Sequence, residues 1–130
     1  DYVKRFTVSN NTGENLFVCC CDFSLSNAIT NSVNLGQGKA YQERVEALIS
    51  ETNDIRDEFI NAPIIWAIHF PPLDKIVQKK LRLIDSHLIN KAVVDMEIDV
   101  VLSGHTHLQT HLPFDDESTF PHLVVAGALS

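Results

Sequence analysis

Short, uninterrupted apolar runs constrain the fold of this chain more than any other feature of its sequence. Three of these runs span residues 16–21, 64–68 and 100–102, and a polar residue follows each of them. Apolar runs of this length are typical of strands that are buried on both faces in an α/β protein. The sequence therefore predicts three buried strands.

The segment between the first two runs has the periodicity of an amphipathic helix. Tyr41, Val45 and Leu48 recur at i, i+4 and i+7, and charged residues fall between them. This spacing places the apolar side chains on one stripe of a helix surface. We expect the helix to begin near Lys39 and to end before Pro63, because proline disfavours helix at the preceding residue.

The segment between the second and third runs is also predicted to be helical, from residue 74 to about residue 97. Asp85 and Ser86 mark a point at which this helix could divide in two. A strand, a helical crossover and a second strand in one sheet form a parallel pair. The strands at 64–68 and 100–102 should therefore run parallel, with their carboxyl ends close together.

Shorter extended pieces are predicted near both ends of the chain. Phe6 and Val8 alternate with polar residues, and apolar pieces lie at 108–112 and 123–126. With the three longer runs and the two helical segments, these pieces predict an α/β fold whose mixed sheet contains a parallel βαβ unit. The 130 residues are expected to form a single domain, 1–130.

Composition excludes several function classes. No apolar run approaches the roughly 20 residues that cross a bilayer, and no long apolar segment follows Lys4 and Arg5 at the start. We expect a soluble, cytoplasmic protein without a membrane partner. The formal net charge of −7 makes nucleic acid an unlikely partner, because a polyanion is repelled by a field of the same sign.

The three cysteines, Cys19, Cys20 and Cys21, are consecutive, which does not resemble a disulfide framework. In a strand, Cys19 and Cys21 would share one face and Cys20 would lie on the other. We interpret them as small structural residues of a reduced protein.

Three histidines follow the predicted buried strands directly. His69 comes after the run at 64–68, and His105 and His107 come after the run at 100–102 and Gly104. Ligands of open α/β sheets bind just beyond the carboxyl ends of the strands, and neutral imidazole is the commonest metal ligand. The sequence therefore predicts a metal site made by these histidines, with Gly104 adopting a φ that a side chain would disfavour. His87, His111 and His122 are interpreted as structural.

Two of these segments resemble motifs of the calcineurin-like metallophosphoesterases. The segment Gly104-His105-Thr106-His107 resembles the closing G-H-x-H motif of that family, and His69-Phe70-Pro71-Pro72 resembles the histidine motif that precedes it. Weaker similarities at 21–24, 42–48 and 123–129 extend the resemblance over most of the chain. The resemblance implies a four-layer α/β/β/α sandwich, of which this chain is part.

The motifs that open this family are D-x-H, G-D-x-x-D and G-N-H-D or G-N-H-E. The strand that ends at Asp22 continues with Phe23 and Ser24, and Gly-Asn-His does not occur in the chain. We therefore expect this chain to be the C-terminal half of such a domain. The N-terminal half would be its partner and would supply the other metal ligands and the general-acid histidine.

The resemblance implies hydrolysis of phosphate mono- or diesters by a dinuclear metal centre. Members of the family hold two metal ions about 3.5–4 Å apart that bind the phosphate and present a nucleophile. Carried over by position, His69 and His105 would bind one metal and His107 the other, and this chain would contain no catalytic residue. Manganese, iron and zinc all suit such ligands, and the substrate would be a small phosphate ester.

Two alternatives remain open at the level of sequence. A protein-binding scaffold can have the same fold without activity, as in the retromer subunit that resembles these phosphoesterases. Alternatively, the three histidines and one further group could hold a single structural zinc ion.

Overall fold

The computed structural model describes residues 2–25, 36–73, 77–106, 109–113 and 122–126. Within these ranges the chain forms eight strands and two α-helices. The strands are β1 (Val3–Ser9), β2 (Asn15–Cys21), β3 (Gly38–Lys39), β4 (Ile64–Ile68), β5 (Leu83–Ile84), β6 (Val100–Ser103), β7 (Thr110–Pro113) and β8 (His122–Val125). The helices are α1 (Gln42–Glu58) and α2 (Ser86–Asp95).

Six of these strands form one mixed sheet in the order β1-β2-β4-β6-β8-β7. The four central strands β2, β4, β6 and β8 run parallel, and β1 and β7 pair antiparallel at the two edges. The two short strands β3 and β5 form a separate parallel pair. The predicted α/β class, the mixed sheet and the parallel neighbours β4 and β6 are confirmed.

Both helices contribute to the core on one face of the large sheet. The indole Nε1 of Trp66 on β4 donates a hydrogen bond to Thr52 Oγ1 on α1, and Arg5 on β1 pairs with Glu51 of the same helix. Alternate residues of the central strands are buried on this face. They are Phe17, Cys19, Cys21, Ile64, Trp66, Ile68, Val101, Leu123 and Val125.

The opposite face of the sheet, called the open face here, is not buried by the described residues. Its apolar side chains are Phe6, Val8, Leu16, Val18, Cys20, Ile65, Ala67, Val100, Leu102 and Val124. Leu102 is 37% exposed although its strand has a neighbour on each side. The run at 16–21, which the sequence pattern assigned to a strand buried on both faces, is buried on one face only, because the described helices cover only that face.

The predicted helix over residues 74–97 is much shorter in the structure. Residues 74–76 lie outside the described ranges, and Leu83 and Ile84 pair with Gly38 and Lys39 as a short strand. Asp85 then adopts a left-handed conformation with φ of 58°, and α2 begins at Ser86. Leu83 is buried in this strand pair, so part of the segment that was predicted to be helical is extended instead.

The cysteines have the predicted arrangement. Cys19 and Cys21 are buried on the helix-covered face, Cys20 is partly exposed on the open face, and all three are free thiols. Burial raises the pKa of both Cys19 and Cys21 to about 11.

Among the described residues, neither helix is long and apolar enough to cross a bilayer.

Candidate metal centre

The parallel strands β4 and β6 bring two of the three predicted ligands into contact. His69 follows β4 directly, and the backbone N–H of Gly104 donates to the carbonyl oxygen of His69 over 3.0 Å. The Nε2 atom of His69 lies 3.1 Å from the Nδ1 atom of His105. His107 lies outside the described residues. The predicted closeness of His69 and His105 is thus observed, whereas their role as metal ligands stays a prediction.

The orientation of His105 is fixed by a backbone carbonyl group. Its Nε2 atom lies 2.6 Å from the carbonyl oxygen of Gly36. A carbonyl oxygen only accepts hydrogen bonds, so Nε2 carries the proton and Nδ1 of the neutral ring carries a lone pair that faces His69. A metal-bound histidine commonly donates its other N–H to a carbonyl group in the same way.

The backbone turn after β6 is made at His105 and not at Gly104. The N–H of Thr106 donates to the carbonyl oxygen of Gly104 over 2.8 Å, which closes a three-residue turn around His105. His105 has a φ of 68°, and Gly104 lies outside the positive-φ region. The expectation for Gly104 was therefore wrong. Three-residue turns with positive φ are rare and strained, and such strain is often concentrated at functional sites.

The buried ring of Phe70 supports both imidazoles. Its centroid lies 4.9 Å from that of His69 and 4.7 Å from that of His105, with edge-to-face geometry in each case. Phe70 is only 5% exposed, so it presents a fixed apolar wall to the pair. Sequence reasoning treated this residue only as part of a motif, because its contact with His105 depends on the pairing of β4 with β6.

A groove of about 370 Å³ lies next to His69, and Tyr2, Lys4, Cys20 and Asp22 contribute to its walls. Hydrogen bonds from the hydroxyl and the backbone N–H of Ser24 lower the pKa of Asp22. Partial burial opposes this shift, and the positive charges of Arg44 and His69 reinforce it. The groove therefore places an ionised carboxylate and a lysine on its walls together with His69.

The histidine pair has the spacing of two ligands of one metal ion. Two nitrogen atoms at about 2.0–2.1 Å from zinc are about 3.3–3.4 Å apart in a tetrahedral site, close to the 3.1 Å between His69 Nε2 and His105 Nδ1. Among the described residues, no group of three or more His, Cys, Asp or Glu side chains is arranged to hold a metal ion. The described residues thus bring together two nitrogen atoms at this spacing, and their binding of a metal ion stays a prediction.

The remaining histidines divide into two groups. His87 is exposed on the first turn of α2. The letters Asp85-Ser86-His87 match the pattern D-x-H, but Asp85 follows β5 of the separate two-stranded pair, not a strand of the large sheet, and it pairs with Lys39 over 4.0 Å. His111 and His122 contact each other across β7 and β8, an arrangement that the sequence interpretation missed because it depends on the strand register.

A scan of the chain against models of protein families gave no match, and a search of curated proteins gave none either.

Proposed function

We propose that this chain supplies the histidine side of a two-metal centre that hydrolyses phosphate mono- or diesters. The observation that carries the proposal is the contact between His69 Nε2 and His105 Nδ1, 3.1 Å apart at the carboxyl ends of two adjacent parallel strands. The carbonyl oxygen of Gly36 gives His105 the tautomer that a ligand needs. The sequence resemblance to the metallophosphoesterases supplies the reaction class.

In this proposal, His69 and His105 hold one metal ion and His107 contributes to the second. Bound metal ions of this kind supply Lewis acidity toward the phosphate oxygens and generate a nucleophile from water at neutral pH. The nitrogen ligands suit manganese, iron or zinc. The general acid and the remaining ligands come from the other half of the domain.

The residues of this chain have positioning roles in the proposed site. The carbonyl group of Gly36 holds the ring of His105, and Phe70 packs against both imidazoles. Lys4 in the neighbouring groove supplies a positive charge for an anionic substrate in a chain whose net charge is −7. The donors are thus held in place before a ligand arrives, which reduces the cost of ordering them on binding.

The open face supports the proposed four-layer sandwich. Apolar side chains stabilise a fold when they are buried. The open face therefore contributes to stability only when another layer covers it. Along the central strands, residues of the open face alternate with buried residues. The same alternation occurs in sheets that pack face to face. In the proposal, the sheet of the preceding half packs on this face and completes the metal site at the shared edge.

Metal binding by this chain is the first test. Titration calorimetry with Mn²⁺ and Zn²⁺, on a chain that carries His111→Ala and so lacks the contact between His111 and His122, should show binding that His69→Ala and His105→Ala each weaken at least about tenfold. His87→Ala is the matched control, because His87 is exposed on α2. In the metal-free chain at neutral pH, ¹⁵N NMR should find the proton of His105 on Nε2. A proton on Nδ1, or binding that survives both substitutions, would overturn the assigned ligands.

Hydrolysis by the intact protein that contains this chain is the second test. An aryl phosphodiester such as bis(p-nitrophenyl) phosphate should be hydrolysed, and His105→Ala should lower turnover by about 100-fold or more. Turnover unchanged by His69→Ala and His105→Ala would refute the proposal. One tightly held zinc ion without hydrolysis would indicate a structural site, and absence of both metal and hydrolysis would indicate a scaffold.

A further inference from the structure

A second pair of imidazoles lies on the open face, away from the proposed phosphoesterase site. The Nε2 atom of His111 on β7 is 3.1 Å from the Nδ1 atom of His122 on β8, and the ring centroids are 5.1 Å apart. We propose that His111 and His122 form a separate site for a divalent transition metal that prefers imidazole, such as Cu²⁺, Ni²⁺ or Zn²⁺. This inference uses neither His69 nor His105.

The strand register places these two side chains on one face. His111 lies opposite Val124 in the antiparallel β7–β8 pair, and Val124 and His122 are two residues apart on β8. His111 and His122 are therefore diagonal neighbours, a separation that long side chains can span. Because the hydrogen-bonded ladder fixes both backbones, little conformational freedom is lost when one ion binds both rings.

The geometry requires only a small adjustment to accept a metal ion. The two nitrogen atoms are 3.1 Å apart, between the roughly 2.8 Å of adjacent ligands in a square-planar copper site and the roughly 3.3 Å of a tetrahedral zinc site. A metal ion would take the place of the proton that the two nitrogen atoms now share.

The surroundings of His111 and His122 differ from those of His69 and His105 in solvent exposure and in the freedom of the tautomer. Both rings are exposed, and among the described residues each has only the other as a hydrogen-bond partner. No carbonyl group of the described part of the chain accepts a hydrogen bond from either ring, so each ring can present either nitrogen atom after a rotation about χ2. Solvent can fill the other coordination positions, and the net charge of −7 attracts cations. In the 130-residue chain, without a second sheet over the open face, the site is thus accessible at the β7 end of the sheet, with two protein ligands.

Copper binding to the 130-residue chain tests this site. In electron paramagnetic resonance at one equivalent of Cu²⁺, the His69→Ala variant should retain a signal with two imidazole nitrogen ligands. Adding His111→Ala or His122→Ala to it should lower the copper affinity at least about tenfold and remove one nitrogen ligand from the signal. Adding His87→Ala is the matched control and should change neither quantity.

A second measurement separates loss of the site from loss of the fold. Zn²⁺ should raise the melting temperature of the His69→Ala variant, because a ligand that binds only the folded state stabilises it. That rise should disappear with His111→Asn, whereas the melting temperature without metal should stay the same because the side chain is exposed. Copper and zinc effects that persist without His111 and His122, or no binding at all in the His69→Ala variant, would overturn the inference. The proposed phosphoesterase site would stand in either case.

Discussion

Gly38 lies directly against the ring of Phe70. A Cβ atom added at Gly38 would come within 2.5 Å of Phe70 Cδ2 and within 2.8 Å of the carbonyl oxygen of Phe23. The absence of a side chain at Gly38 therefore allows Phe70 to take its buried position, from which it contacts the rings of both His69 and His105. Packing beneath the sheet edge thus controls the geometry of the candidate metal site.

Replacing Gly38 with alanine should disturb both the fold and the histidine pair. The added methyl group meets a buried ring and a backbone carbonyl group, so we expect a loss of about 1–3 kcal/mol in the free energy of unfolding. Because Phe70 must move, metal binding at His69 and His105 should weaken as well. Urea denaturation and metal titration measure the two effects.

Gly104→Ala is the control for this experiment. A Cβ atom at Gly104 would be 3.8 Å from the nearest atom, His69 Nδ1, which is an ordinary contact distance. We expect a change of no more than about 0.5 kcal/mol in stability. Equal losses from Gly38→Ala and Gly104→Ala would show that close packing at Gly38 is not the cause.

Thr52 should be required for the stability of the core. Its hydroxyl group donates to the carbonyl oxygen of Leu48 over 2.8 Å and accepts from Trp66 Nε1 over 3.0 Å, and both side chains are fully buried. Thr52→Val keeps the shape but leaves the indole N–H without a partner, at a cost of about 1–3 kcal/mol. Thr52→Ser keeps the hydroxyl group and should cost less. Denaturation curves in which Thr52→Ser is the less stable variant would contradict this assignment.

The fold follows from the sequence wherever periodicity and strand order decide it. The runs around Trp66 and Val101 became adjacent parallel strands because a helical crossover allows little else. Periodicity failed at Leu83 and Ile84, where pairing with Gly38 and Lys39 overrode a helical pattern. It also could not tell a strand buried on both faces from one buried on a single face, since both are apolar runs.

The candidate site was only partly predictable, for a related reason. The closeness of His69 and His105 follows from topology, because residues at the ends of parallel neighbours share an edge. The carbonyl group of Gly36 belongs to the backbone and leaves no trace in a side-chain pattern. The contact between His111 and His122 depends on the register of β7 and β8, which the side-chain pattern does not determine.

Thiol labelling should distinguish the two faces of the sheet. Cys19 and Cys21 are buried, and their pKa of about 11 leaves little thiolate at neutral pH. Cys20 is partly exposed on the open face. We expect a maleimide to modify Cys20 alone in the folded chain and all three cysteines in urea, as measured by mass spectrometry.

The matched control for labelling is Cys20→Ser, which should abolish modification of the folded chain. Labelling of Cys19 or Cys21 under native conditions would show that the helix-covered face opens easily. In the intact protein, the proposed second sheet should protect Cys20 as well, so labelling there at an unchanged rate would count against the four-layer arrangement.

The chain on its own should self-associate through the open face and its edge strand β1. Phe6 and Val8 are 47% and 55% exposed on this strand, and an unpaired apolar edge is a template for further strand pairing. Phe6→Thr with Val8→Thr should shift the chain toward monomer in sedimentation velocity without loss of stability, because threonine retains β propensity. Ile60→Thr is the control, since Ile60 is 83% exposed but lies outside the sheet. A monodisperse monomer of the unsubstituted chain, or equal relief by Ile60→Thr, would show that the open face does not drive association.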